Sequence, residues 1–311
     1  MTVVEGWAYH EADENGAWVV TDPTMTELFK FGYVPADNSA IIKRSDKVMA
    51  ERVKQVGLYD TAIHMGNNPN NDISGSFGMI NGLPLYWMLG RAETSGDGVL
   101  ISNMNGNARK PRIATRQEID GIDYHTYGLT MSRLSLQYNN NMLWANCSWM
   151  GMKDELPAAI SPSYAYPSNV RTPYNVLSHM TWDGGELKPT SFATEMSQNL
   201  TGFMGENGYY DEISEFAPIL PTAGIQFLGS EAEAATMQAD FEAKLPKVFS
   251  WTVNKASCST DLITCTGTGY LVDQASVKGY GLETYYMYSI WCTSLTFTVV
   301  DGLTRSTFYG L

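Results

Sequence analysis

Phe249, Trp251 and Val253 alternate along the chain with Ser250, Thr252 and Asn254. A period of two puts the aromatic and aliphatic side chains on one face of a strand and the hydroxyls and amide on the other. Trp291, Leu295, Phe297 and Val299 alternate likewise with Cys292, Ser294, Thr296 and Thr298. They predict a strand of about 14 residues, on the order of 45 Å long. Leu129–Tyr138 and Met142–Met152 read as a hairpin around Asn139-Asn140-Asn141, because Asn tolerates the left-handed backbone of a tight turn. With Tyr138 opposite Met142, Leu136 meets Trp144 on an oily face. Gln137, Ser135 and Arg133 then meet Leu143, Ala145 and Cys147 on a mixed one.

Helical patterning is sparser. Ser230 and Glu233 form a capping box, and Ala234, Met237, Phe241 and Leu245 follow as one apolar stripe that Pro246 ends. A short helix is predicted over Pro84–Leu89, with Pro in its first turn and Gly90 at its end. Met49, Val53 and Val56 predict a third helix over Ser45–Val56. Asn67–Asp72, Ser95–Gly98, Asn103–Asn107, Ala158–Pro173 and Gly205–Tyr210 read as loops. The fold class expected is mainly β, a β-sandwich with one or two flanking helices. Its two β-rich halves, 1–157 and 174–311, are joined by the Pro/Ser/Tyr-rich segment 158–173.

With 311 residues, the chain has room for one large β domain or two smaller ones. An apolar fraction of 44% with 17% charged residues excludes wholesale disorder. The net charge of −13 argues against a protein that grips phosphates. The amino terminus has no basic flank and no apolar run, so production in a cytoplasm without export is expected. Met287–Val300, the most apolar stretch, is too short to cross a bilayer as a helix. Cys147, Cys258, Cys265 and Cys292 are expected as free thiols, with a Cys258–Cys265 bridge across a hairpin as the alternative.

Catalytic signatures are scarce. His10, His64, His125 and His179 are scattered, and the HExxH, CxxC and GxSxG patterns are absent. Gly267-Thr-Gly269 lacks the third glycine of a dinucleotide loop and reads as a glycine-softened strand. Asn67–Asp72 lacks the alternating carboxylates of a calcium loop. Asp120 and Asp123 are the nominees for an acid pair. No catalytic residue, metal or cofactor is expected, and the chain reads as a non-enzyme. The aromatics, 12% of the chain, read mainly as core, with Trp182 and Trp87 as candidates for an exposed sugar platform.

Charge is segregated. Between Lys188 and Lys244 there is no basic residue, while Glu212 and Glu215 are among the acids of that interval. Basic residues gather at Lys43, Arg44, Lys47, Arg52 and Lys54, and again at Arg109–Arg116. This predicts an arm over Asp37–Asp72 that contacts the acidic surface of the next subunit. Such head-to-tail contacts make rings or filaments.

The stretch Ser74-Gly-Ser-Phe-Gly leading into Leu85-Tyr-Trp-Met-Leu-Gly90, followed by Tyr124–Leu136 and Met142–Lys153, resembles the major tail tube proteins of long-tailed bacteriophages and tailed archaeal viruses. The likeness is best over Asn71–Lys153. It implies β-sandwich subunits in hexameric rings that stack, with inner sheets joined into one barrel around a lumen that passes genome DNA. It also implies a virion location, assembly in the host cytoplasm, and tape-measure, tail-terminator and tail-tip proteins as partners. The chain is longer than the simplest members. This leaves open an added outer domain, or a second copy of the fold in a trimeric ring. Lumen-facing candidates under this resemblance are Arg133, Ser135 and Gln137 on the hairpin, or Ser250, Thr252 and Asn254. Arg133 on such a face requires an acidic partner. The alternative is a capsid-decoration or carbohydrate-binding module of a virion or cell surface.

Overall fold

The computed structural model describes residues 4–13, 27–30, 42–44, 48–54, 61–67, 72–89, 99–102, 112–119, 122–151, 153–155, 163–165, 172–204, 210–215, 219–228, 231–278 and 284–301. The chain is mainly β. Its first strands are β1 (Val4–Asp13), β2 (Glu27–Lys30), β3 (Ile42–Arg44), β4 (Val48–Lys54), β5 (Thr61–Asn67) and β6 (Ile73–Gly78). Helix α1 (Leu83–Leu89) precedes β7 (Val99–Ser102), β8 (Arg112–Ile119), β9 (Ile122–Asn139), β10 (Met142–Met150), β11 (Lys153–Glu155) and β12 (Ser163–Ala165). Then come β13 (Val176–Trp182), β14 (Gly185–Glu186), β15 (Pro189–Ser197), β16 (Leu200–Met204), β17 (Tyr210–Glu215) and β18 (Leu220–Leu228). Helix α2 (Glu231–Ala243) leads into the long strands β19 (Lys247–Lys255), β20 (Cys258–Lys278) and β21 (Thr284–Val300).

One antiparallel ladder runs β3-β6-β10-β9-β15-β18-β21-β20-β19-β13-β14. It bends where β20 and β21 change register, between Thr268 and Gly269 and between Leu271 and Asp273. Bulges of this kind add twist and bend the strand. The fold-over lays β13, β19 and the far ends of β20 and β21 against β9, β10 and β15. Trp251 of β19 shows the contact. Its ring stacks on Phe192 of β15 at 4.4 Å, meets Phe297 edge-on at 6.1 Å, and its Nε1 donates to Thr194 Oγ1 at 3.1 Å. Phe249, Val253, Ile263, Leu295 and Val299 fill one side of this core, and Leu134, Leu136, Leu143 and Met196 the other. The core draws on both sides of segment 158–173, and β9 pairs directly with β15. Within that segment Ser163–Ala165 is a strand, paired parallel with β2; the predicted loops 95–98, 103–107 and 205–209 lie outside the described residues.

Several expected elements stand corrected. The hairpin closes through a two-residue turn, Asn140-Asn141, with φ of 48° and 53°. Asn139 is itself paired with Met142, so Tyr138 faces Leu143, Leu136 faces Ala145 and Leu134 faces Cys147. The anticipated register was one residue out. A slip of one exchanges the faces of a strand. The true register buries Leu143, Ala145 and Cys147 and turns Trp144, Asn146 and Ser148 outward. Val48–Lys54 is a strand paired with β5, not part of a helix over Ser45–Val56. Helix α2 buries Met237 and packs Phe241 against the core. It stops before Leu245, which is 57% exposed. Lys244, at φ 54°, turns the chain out of the helix ahead of Pro246.

The predicted strand at Gly267-Thr-Gly269 is part of β20. Gly267 lies between Phe249 and Leu295 in register. A Cβ there would sit 2.4 Å from the Phe249 ring and 2.7 Å from Leu295. Gly267→Val is expected to lower the unfolding free energy by about 1–3 kcal/mol through overpacking, read by urea denaturation; an unchanged midpoint would show that the core yields at that point.

Candidate functional site

The folded sheet presents two outer faces that point in opposite directions. On the β13–β19–β20–β21 layer, Thr181, Ser250, Thr266 and Thr296 stand in one row across four strands. His179, Thr252, Thr264 and Thr298 form the next. Thr252 Oγ1 and Thr264 Oγ1 are 2.9 Å apart. β-branched threonines suit a pleated surface, and their in-register alignment across strands ties neighbours together by hydroxyl contacts. Charge enters these rows only at the edge, where Glu186 lies 3.5 Å from His179 Nδ1. Asn254, beside Leu262, ends the field. Ser250, Thr252 and Asn254 are thus all on this outer face, each half-buried.

The opposite layer carries Arg133, Ser135 and Gln137. Arg133 Nη2 meets Glu195 Oε2 at 2.5 Å across the β9–β15 ladder, which supplies the acidic partner this cation requires. At 55% and 33% exposure the pair is screened by solvent and contributes at most about 1 kcal/mol. Ser135 is only 4% exposed, and Gln137 Nε2 donates to its Oγ at 3.3 Å. The two sets of lumen candidates therefore lie on opposite faces of the folded sheet. A single bore can be lined by only one of them.

The charged segments predicted as contacts fall on separate elements. Lys43 and Arg44 are on the short edge strand β3. Arg52 and Lys54 are on β4, which pairs with β5 in a two-stranded ribbon outside the main sheet. Glu212 and Glu215 are on β17, in a second such ribbon with β16. At the end of β16, Phe203 is 48% and Met204 62% exposed. A lone two-stranded ribbon is marginal in water. Lys47 and Asp120 lie outside the described residues, and Asp123 is on β9.

At the β19–β20 turn Lys255 continues the inward alternation of Phe249, Trp251 and Val253. It is 1% exposed, 3.2 Å from Asp261 and 4.9 Å over the Tyr174 ring. Cys258 Sγ contacts Asp261 Oδ1 at 3.3 Å. Burial pushes the Tyr174 phenol well above its ordinary range, and the nearby Asp301, Asp261 and Cys258 push it further. A buried cation with one carboxylate and an aromatic face is a satisfied structural cluster. It was missed because only the alternation, extended by one position, would have flagged a lysine facing inward. Among the described residues no group of three or more His, Cys, Asp or Glu converges on a metal-sized site, and no helix is long and apolar enough to cross a membrane.

All four cysteines are free thiols. Cys258 and Cys265 occupy one strand seven positions apart rather than facing across a hairpin, so a bridge between them is ruled out. Burial raises the thiols of Cys147 and Cys265 well above their usual range and pushes Cys292 up to about 12. At pH 8 a thiol reagent is therefore expected to leave these three unmodified in the native protein and to react with all four in denaturant. Rapid native labelling of Cys147 or Cys265 would contradict the packing.

The proposed sugar platforms are also corrected. Trp182 and Trp87 are 4% and 2% exposed, and Trp182 Nε1 donates to Asp240 on α2. Among the described residues the exposed tryptophan is Trp291, at 67%. It was expected on the face of Leu295, Phe297 and Val299. Cys292 pairs with Gly269 and Ser294 with Thr268, so Thr293 is an extra residue that reverses the alternation between Trp291 and Leu295. No family model and no curated protein matches the sequence.

Proposed function

We propose that this chain is the structural subunit of a viral tail tube, assembling into stacked rings around a lumen through which genome DNA passes. The observation that carries the proposal is the broad hydroxyl face of β13, β19, β20 and β21, whose rows meet charge only at their Glu186 edge. A wall that conducts DNA must stay hydrated and make no phosphate contacts that hold the polymer. The net charge of −13 fits that requirement. On this reading Ser250, Thr252 and Asn254 face the bore, and Arg133, Ser135 and Gln137 face outward. One further observation supports self-association. The basic-residue ribbon β4–β5 and the acidic-residue ribbon β16–β17 are complementary in sequence charge and outside the main sheet. On this reading, joining the sheet from subunit to subunit would cover edges that otherwise invite aggregation.

The partners on this reading are further copies of the chain, with tape-measure, tail-terminator and tail-tip proteins at the ends, and the location is the virion. No cofactor or catalytic residue is invoked. Light scattering of the purified protein over a concentration series, with negative-stain microscopy of the same samples, tests the proposal. Rings or tubes above a critical concentration are expected. Monomers at every concentration and ionic strength, with no tube in any particle that contains the chain, would reject it.

A further inference from the structure

The outer face opposite the hydroxyl field carries an open groove of about 430 Å³ across β9, β15, β18, β21 and β20. That volume is within the range of small-ligand sites, about 300–1,000 Å³. Its floor is Ala193 and Gly224, direct neighbours in register. A Cβ on Gly224 would meet nothing nearer than the Tyr288 carbonyl at 3.9 Å. Crowding therefore does not require glycine there, and the missing side chain appears as depth. Gln137 and Asn139 form one wall, and Ser289 and Asp273, paired with each other, form the other. Two residues beyond Ser289 stands Trp291, 67% exposed, directly paired with Tyr270 at 38%. The spacing along the strand is about 7 Å. The Thr293 bulge is what places this indole in water instead of in the core.

We propose that this groove and the Trp291–Tyr270 platform form a binding site for a neutral saccharide. A pyranose offers an apolar C–H face and a rim of hydroxyls. The indole matches the first, as aromatic faces do for weakly polarised groups. The amides of Gln137 and Asn139, the Ser289 hydroxyl and the Asp273 carboxylate match the second. The groove lining holds one carboxylate and no cation, which disfavours phosphorylated or sulfated ligands. A wholly apolar ligand would strand those polar groups without partners. The site stands on the geometry of this layer and not on the tail tube assignment. In a tube bored along the hydroxyl field it would lie on the exterior.

The test is binding of the full chain to an array of neutral oligosaccharides (β-glucan, mannan, galactan and chitin fragments), followed by titration calorimetry with the best binder. Trp291→Ala is expected to weaken binding at least about tenfold, and Gly224→Leu, which fills the floor, by a similar factor. Trp291→Tyr should retain most of the affinity. Unchanged circular dichroism and light scattering of the variants separate lost binding from lost folding or assembly. Failure of the wild-type chain to bind any neutral glycan overturns the proposal, as does binding that survives both Trp291→Ala and Gly224→Leu. Loss of polymerisation in Trp291→Ala, with no saccharide bound by the wild type, also overturns it and makes Trp291 a subunit contact.

Discussion

Replacing Arg52 and Lys54 by glutamate is expected to abolish polymerisation while leaving the subunit folded. Both residues lie on β4, in a two-stranded ribbon separate from the main sheet. Under the proposed tube, the β4–β5 ribbon would meet an acidic surface, for which the β17 strand with Glu212 and Glu215 is the candidate. Reversal replaces attraction by like-charge juxtaposition, which costs several kcal/mol at an interface. The critical concentration should rise by about 100-fold or more. The compensating changes Glu212→Lys and Glu215→Lys in the same chain should restore assembly, a rescue that general destabilisation cannot produce. Sedimentation velocity across a concentration series reads both results. Undiminished assembly of the reversed variant would remove the ribbons from the interface.

The second large effect concerns stability. Trp251→Ala is expected to lower the unfolding free energy by about 3–5 kcal/mol, because it empties the space where the two layers meet and ends the Phe192 and Phe297 ring contacts. Trp251→Phe keeps a ring but leaves Thr194 Oγ1 buried without its donor, since Thr194 is fully buried. Its expected cost is about 1–3 kcal/mol. Chemical denaturation followed by far-UV circular dichroism gives both numbers. A loss below 1 kcal/mol for the alanine variant would mean that the layers are not held together at this point.

These expectations rest on features that were unevenly legible in the sequence. Phe249-Ser-Trp-Thr-Val-Asn254 announced both its core face and its wet face, because alternation is a local property of a strand. Helix α1 was legible for the same reason, with Pro84 in its first turn. Long-range choices were not. Met49 and Val53 at a spacing of four fit a helix as well as a strand; pairing with Thr61–Asn67 decided it. The hairpin register turned on whether Asn139 belonged to the turn or the ladder, a one-residue question. Asp183-Gly184, both left-handed, make a turn of the same class that passed unnoticed between Trp182 and Gly185. Trp291 was assigned to the wrong face because a bulge leaves no compositional mark. Thr293 looks like any other threonine in that strand. The hydroxyl face was therefore readable as alternating residues, while the groove needed the folded sheet to bring Gln137, Gly224 and Asp273 together.

The most direct measurement is an electron cryomicroscopy map of the assembled particle at side-chain resolution. A closed bore walled by repeated copies of β13, β19, β20 and β21, with Thr252, Thr266 and Thr296 pointing into it and Arg133 on the outside, is the expected result. A map in which that hydroxyl field is packed dry against another protein, or in which the chain stands alone without a bore, would contradict it.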